Sequence, residues 1–359
     1  MENFNFLTII PLITAFLVTV VATPISLIFL KKYNIVDDPQ KHKHPAILHT
    51  KPIPRGGGIP LFIGVLVASI IFLPLSKIII ALFIASFVSL IVGILDDKYD
   101  LSPYLRFGVN IITAIFVVSM GADIPFITNP LGGILYLNNF QIPFWQGTTV
   151  TFLSDLIAVI WIVWVMNMLN WSKGVDGQMP GIVAISAVII GILSLRFSPL
   201  DQTSTIAATL SFIIAGASLG FLVFNFYPAR IFPGYGATAI YLLLAVASIL
   251  SSAKLATAIL VMGVPMTDGL FTITRRIASG KSPFWHDKKH LHHLLLNLGF
   301  SQKRVALFYW VVSAILGTLS LVLSSKGKLF AIIMLVILVG GALLFLHLLT
   351  KRVDDKTKL

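Results

Sequence analysis

The sequence predicts an all-α protein that crosses a lipid bilayer ten or eleven times, and three observations carry that prediction. Apolar residues make up 57% of the 359 positions and charged ones 11%; the mean hydropathy of +0.94 exceeds what a water-soluble core hides. The apolar residues are gathered into runs of roughly spanning length. The basic residues between those runs segregate to alternate loops. Cysteine is absent, which excludes a disulfide framework, an iron–sulfur cluster and a thiolate zinc site.

In chain order the apolar runs are 6–30, 59–73, 78–95, 105–120, 152–169, 182–195, 206–226, 237–250, 255–272, 305–323 and 329–349. Several are short, so ten spans remain an alternative to eleven. The first run follows Glu2 with no basic stretch before it, is too long for a signal-peptide core and has no small-residue cleavage site. It reads as a retained span. With the N-terminus outside, 21 Lys and Arg residues fall on the inner side and five on the outer side, which places the C-terminus in the cytoplasm. Loops 31–58, 96–106, 167–180, 225–238 and 272–304 are then cytoplasmic, within one integral-membrane domain over 1–359. The outer segment 121–150 has no Lys or Arg. Gly132-Gly133, Asn138-Asn139 and alternating aromatic and aliphatic residues predict a small hairpin over 134–149 near the membrane surface. No internal repeat is evident, which speaks against a transporter built from inverted halves.

The polar chemistry collects on the inner face. The first inner loop carries Asp37-Asp38-Pro39, His42, His44 and His49, then Arg55-Gly56-Gly57-Gly58. Three glycines beside an arginine let backbone amides approach an anion, or form a plain flexible turn. The run 78–95 ends in Asp96-Asp97, with Ser102-Pro103 and Arg106 following. Paired carboxylates at a helix C-terminus oppose the helix dipole and repel each other, so a functional role is favoured over a solvated helix end. Asn167 and Asn170 lie three apart on one helix face, ahead of Lys173 and the turn Gly174-Val175-Asp176-Gly177, an arrangement fit to orient a polar ligand or to cap a helix. Asp268 falls near the inner end of the ninth run; an acid there is read as functional, with a structural hydrogen bond as the rival. The last inner loop holds Arg275-Arg276, then Lys288-Lys289-His290-Leu291-His292-His293, an amphipathic stretch suited to lie on the membrane interface and grip phosphates. The H-x-H-H spacing matches no zinc ligand set.

In this order the motifs resemble those of the polyprenyl-phosphate N-acetylhexosamine-1-phosphate transferases. The likeness runs through Pro54-Arg55-Gly56-Gly57-Gly58, Asp96-Asp97 with Leu101-Ser102-Pro103 and Arg106, Asn167-x-x-Asn170 with Gly174-x-Asp176-Gly177, Asn225 with Pro228-Ala229 and Phe232, Pro265-x-x-Asp268, and His290-x-His292-His293. It covers most of the chain and is nearer to the acetylglucosamine branch than to the muramoyl-pentapeptide branch. Two positions depart from the family pattern: Lys173 and Tyr235 stand where the family carries aspartates, the second of them associated with magnesium. Both are lost carboxylates, which weakens magnesium binding and favours the bare diphosphate.

The resemblance implies transfer of a sugar-1-phosphate, GlcNAc-1-phosphate first, from a UDP-N-acetylhexosamine to undecaprenyl or another polyprenyl phosphate. UMP would be released, at the inner membrane of a bacterium. It implies Asp96, Asp97 and Asp176 as catalytic residues. Arg55, Arg106, Asn167, Asn170, Lys173, Asp268, Lys289, His290, His292 and His293 would contact substrate, and Mg2+ would sit at Asp97 and Asn170. The lipid bilayer and a homodimer are the expected partners, and no nucleic acid is. The alternative is a family member that has given up the reaction and binds lipid phosphate or a partner enzyme, as the missing carboxylate at Tyr235 suggests. A flippase fits less well, because its acids belong near the bilayer midplane.

Overall fold

The computed structural model describes residues 6–40, 49, 51–129, 132–139, 141–143, 149–196, 201–251, 255–285, 287 and 289–356; His42, His44 and Lys288 lie outside them. All eleven apolar runs are helical. Among the described residues, six helices are long and apolar enough to cross a membrane: α1 (Ile9–Lys32), α3 (Lys77–Tyr99), α5 (Phe152–Trp171), α7 (Gln202–Asn225), α12 (Gln302–Val322) and α13 (Ser325–Lys356), the last over Ser325–His347. Four shorter apolar helices are α2 (Gly58–Phe72), α4 (Pro103–Ser119), α6 (Gln178–Ser194) and α8 (Thr238–Leu250), the last led by a 3-10 turn at Tyr235–Ala237. This is an all-α, multi-pass membrane architecture.

Local signals set the helix ends. The side chains of Ser76, Asp201 and Ser301 accept hydrogen bonds from the backbone N–H groups of Ile79, Ser204 and Arg304 and so cap α3, α7 and α12. Asp100 takes the left-handed conformation (φ 51°), its N–H bonded to the Asp96 carbonyl, and Pro103 opens α4. The chain therefore turns sharply just past Asp96 and Asp97.

Two expectations change. The ninth run is no continuous span but a pair, α9 (Leu255–Val261) and α10 (Gly263–Ala278), bent by 83°. Pro265 lacks an N–H to continue the ladder, and Gly263 lets Leu335 of α13 pack into the corner, where a Cβ would lie 2.2 Å from its side chain. Beyond α4, the segment after residue 125 forms two hairpins rather than one over 134–149. β3 (Phe126–Thr128) pairs with β4 (Ile134–Tyr136), and β5 (Gln141–Pro143) with β6 (Thr149–Thr151). Gly132 and Gly133, both at positive φ, turn the chain so that β4 pairs backward.

At the centre stands α8, all 13 of whose residues are buried, as expected of a helix apolar on every side. Around it, α7 packs on α1 and α6, and α6 packs on α12. The 3-10 turn is gripped by two helices at their glycines. A Cβ on Gly58 of α2 would lie 2.2 Å from the Gly236 carbonyl carbon, and one on Gly93 of α3 would lie 2.3 Å from the Gly236 Cα. Backbone cannot retreat from such an overlap as a flexible side chain can. Gly58→Ala is expected to cost about 1–3 kcal/mol of stability, read as a lowered thermal midpoint in detergent; an unchanged midpoint would show that the contact is loose.

Candidate active site

One cavity of about 1000 Å³ opens at the end of the bundle where these loops meet. It is lined by Arg55, Asp96, Asp97, Arg106, Asn167, Asn170, Lys173, Asp176, His290, His292 and His293, together with Tyr235. Residues scattered over almost 240 positions of sequence thus share one chamber. Asp268 lies behind it, and Lys289 is exposed and not part of its lining.

The two adjacent aspartates part company. Asp96 is buried, and both its oxygens accept from Arg106 Nη1, at 3.0 and 3.1 Å, while Oδ1 also takes the Leu101 N–H at 3.1 Å. Its acceptor capacity is largely spent on holding Arg106 and the turn after α3. Asp97 Oδ1 pairs with the Arg55 guanidinium, 2.9 Å from its Nε, and accepts from the Tyr235 N–H at 2.8 Å, whereas Oδ2 is buried with no partner. Asp97 is thus the member of the pair with an uncommitted oxygen.

The triglycine stretch does not cradle an anion. The N–H groups of Gly56 and Gly57 donate to the Phe232 carbonyl, and that of Gly58 to the Pro233 carbonyl, at 2.9–3.3 Å. Those amides are consumed in fastening the Arg55 loop to the 232–236 turn, and β1 (Val36–Asp37) pairs with β2 (Ile53–Pro54) behind it. The glycines serve close packing, and Arg55 is what that packing delivers.

Lys173 enters from the end of α5. Its Nζ donates to the Gly234 carbonyl at 2.9 Å and lies 5.8 Å from the centre of the Tyr235 ring. The Arg106 guanidinium lies 5.2 Å from the centre of the same ring, and Asn110 Nδ2 donates to the Tyr235 hydroxyl at 3.1 Å. Burial and the nearby Arg55 charge push the Lys173 ammonium down to about 7, against the pull of Asp97 and Asp96.

Asp176 bridges loops. Its Oδ2 accepts the Ala229 N–H at 2.9 Å and its own N–H donates to Gln302 Oε1 at 3.3 Å, while the next N–H, of Gly177, donates to Asn225 Oδ1 at 3.0 Å. Burial raises the Asp176 carboxyl, opposed by the Ala229 bond and by His49. Asn167 Nδ2 donates to the Val163 carbonyl at 2.7 Å, and Asn170 Oδ1 is buried without a partner.

The histidines are set by α10 and α11 (Leu291–Asn297). His290 Nδ1 lies 2.9 Å from Asp268 Oδ2, and Asp268 Oδ1 takes the Leu291 N–H at 3.0 Å. An ionised carboxylate only accepts, so Nδ1 carries the proton and Nε2 is left for a ligand. His292 packs on the backbone of Gly174, where a Cβ would lie 1.9 Å from its Nε2. Burial and the neighbouring His293 and His290 keep His292 well below the usual imidazole range. The stretch expected to lie on the membrane surface instead turns its imidazoles inward, because α11 buries Leu291, His292, His293 and Leu294 together.

Sequence reasoning missed three supporting residues. Asn110 lies one helical turn after Arg106 and was legible as the polar residue on that face of an apolar helix. Gln302 follows its N-cap with no such signal. Asp287 receives Arg275 Nη2 and Arg276 Nε at 2.9–3.1 Å and the Lys289 N–H at 2.9 Å, clamping the loop before the histidines. Burial opposes its ionisation, but the Lys289 N–H and the two arginines outweigh that and hold its carboxyl at about 2.

Comparison with known proteins follows the same geometry. The model of "Glycosyl transferase family 4" matches residues 79–252, which contain Asp96, Asp97, Arg106, Lys173, Asp176 and Tyr235. A Bacillus subtilis protein named "Probable undecaprenyl-phosphate N-acetylglucosaminyl 1-phosphate transferase" is 30% identical over 343 residues, 92% of this chain and 89% of its own length. A Mycobacterium leprae "Decaprenyl-phosphate N-acetylglucosaminephosphotransferase" is 30% identical, over 95% of this chain and 90% of its own. A Haemophilus influenzae "Undecaprenyl-phosphate alpha-N-acetylglucosaminyl 1-phosphate transferase" is 29% identical over 86% and 83%. Similarity that runs nearly end to end, through the loops that build the cavity as well as the apolar helices, makes this chain a member of glycosyl transferase family 4.

Proposed function

We propose that the protein transfers N-acetylglucosamine-1-phosphate from its UDP derivative to a polyprenyl phosphate. The acceptor rises from the bilayer to the cavity, on the cytoplasmic face of a bacterial inner membrane. One observation carries the reading: a single chamber at the membrane-helix ends gathers Arg55, Arg106, Lys173 and three imidazoles around a carboxylate with a free oxygen. Two arginines and a lysine, with imidazoles beside them, suit two phosphorylated substrates meeting head to head. The relatives' names supply the substrates.

A non-bridging oxygen of the polyprenyl phosphate attacks the sugar-bearing phosphorus of the nucleotide. A new P–O–P bond forms, and the bond from that phosphorus to the bridging oxygen breaks, its electron pair leaving on UMP. A dianionic acceptor and a dianionic donor become a dianionic lipid diphosphate and dianionic UMP, so no net proton is required. What the protein supplies is neutralisation of phosphate charge and in-line placement. Lys173 and Arg55 face the diphosphate; His290, held at Nδ1 by Asp268, presents its Nε2 to the phosphates, and His293 contacts them too. Asp97 fixes Arg55 and takes a proton from an acceptor that arrives as the monoanion.

Purified full-length protein in detergent, given UDP-N-acetylglucosamine and undecaprenyl phosphate, is expected to release UMP only when both are present. No release under any ionic condition, with release restored by Tyr235→Asp, would instead identify a protein that keeps the pocket and has lost the reaction.

The low affinity of Lys173 for its proton has a measurable consequence. A bound diphosphate favours the ammonium, so nucleotide binding above pH 7 is expected to take up protons, and affinity is expected to fall by up to about tenfold per pH unit from there to the bound-state value. Calorimetric titration at pH 8 in buffers of different ionisation enthalpy measures the uptake, and in Lys173→Ala it is expected to vanish.

A further inference from the structure

The site's residues do not form a magnesium centre. Magnesium takes near-octahedral oxygen ligands at about 2.0–2.1 Å and is held by carboxylates together with phosphate oxygens. Here Asp96 spends both oxygens on Arg106. Asp97 Oδ1 faces Arg55 Nε at 2.9 Å and accepts from the Tyr235 N–H, which leaves Oδ2 as its one uncommitted oxygen, a single carboxylate donor. Asp176 Oδ2 is held by the Ala229 N–H. Asn170 Oδ1 is buried and unpartnered, but it is a single neutral donor. Among the described residues no three His, Asp or Glu side chains converge as a metal would need. Arg55 and Arg106 meanwhile balance the two aspartates they pair with, before Lys173 is counted. A dication entering here meets no net negative charge from those pairs.

We propose that Lys173, seated over Tyr235, is the built-in cation of this site and that the chain binds its nucleotide diphosphate without a divalent metal. This deepens the transferase reading and rests on it for the identity of the substrate. The geometry is specific. One Nζ–H of Lys173 is anchored on the Gly234 carbonyl, which sets the ammonium at the cavity wall and leaves two donors for phosphate oxygens. The Lys173 ammonium and the Arg106 guanidinium both lie over the Tyr235 ring, 5.8 and 5.2 Å from its centre, so the ring attracts both positive groups. The ring in turn is tethered by Asn110 at its hydroxyl and by Asp97 at its backbone N–H. An aromatic residue there accommodates a lysine beside it, whereas a carboxylate would pair with the ammonium and draw it away from substrate. Lys173 and Tyr235 are therefore one device.

Two measurements on the purified full chain test this. Electron paramagnetic resonance of Mn2+ titrated into the native protein, without nucleotide, is expected to show no saturable bound fraction; one bound ion per chain would overturn the proposal. Binding of UDP-N-acetylglucosamine, by calorimetry, is expected to be equal within about twofold in EDTA and in magnesium, and to weaken roughly tenfold or more in Lys173→Ala under both conditions. Lys173→Arg, which keeps the charge, checks that the loss reflects the cation rather than the fold, and is expected to retain most of the affinity. The double variant Lys173→Asp, Tyr235→Asp is expected to bind the nucleotide only with magnesium. Nucleotide binding by the native chain that requires magnesium, or no binding in either condition, would overturn the proposal. UMP release is a separate readout: its absence, with metal-independent and Lys173-dependent binding intact, would sink the transferase reading and leave the built-in cation standing.

Discussion

Asp97→Asn is expected to slow UMP release by about 10²–10⁴-fold, with a thermal midpoint close to that of the native protein. The asymmetry of its hydrogen bonds is the reason. Asn keeps an oxygen at Oδ1 for the Tyr235 N–H, so the 2.8 Å bond that holds the 232–236 turn survives. What is lost is the negative charge and the uncommitted Oδ2. Arg55 is then no longer fixed by a counter-ion, Lys173 loses a carboxylate that favours its charged form, and a monoanionic acceptor finds no base. The loss is expected in kcat with KM changed little, because charge placement at the reacting phosphorus counts more in the transition state than in binding. Steady-state UMP release measures it, and an Asn variant within a few-fold of native would remove Asp97 from the chemistry.

Arg106→Met is expected to be the more damaging change to the fold, at about 3–5 kcal/mol. The Asp96 side chain is fully buried and that of Arg106 only 15% exposed. Removing the guanidinium leaves a charged carboxylate in the last turn of α3 with only the Leu101 N–H for company, and it strips one face of the Tyr235 ring. Much of that penalty is the uncompensated charge rather than the value of the pair. Asp96→Asn combined with Arg106→Met is therefore expected to recover a large part of the lost stability. Thermal unfolding of the two single variants and the double variant in one detergent decides it. Additive losses would mean that the two side chains contribute independently.

What the sequence determined by itself was the helical architecture and most of the residues that line the cavity. Composition and run length sufficed for the helices, because a bilayer demands about 20 apolar residues per crossing whatever packs around them. The paired aspartates, Arg106, Asn170, Lys173 and the histidines stood out because polar and charged groups at membrane-helix ends are costly and so are seldom idle. Tertiary structure alone decided which of these residues are free to act. Asp96 and Asp97 are neighbours in sequence and alike in type, yet one is consumed by Arg106 and the other retains an open oxygen; that difference depends on a turn 138 residues further along the chain. The sequence left the glycines of 56–58 as either an anion cradle or a plain turn, and their amides are spent on carbonyls at 232 and 233. The break between α9 and α10 has Leu335 packed into its corner, and the tyrosine under Lys173 and Arg106 meets side chains from separate helix ends. Hydrogen-bond capacity is finite and local, whereas the partners that consume it come from anywhere in the chain.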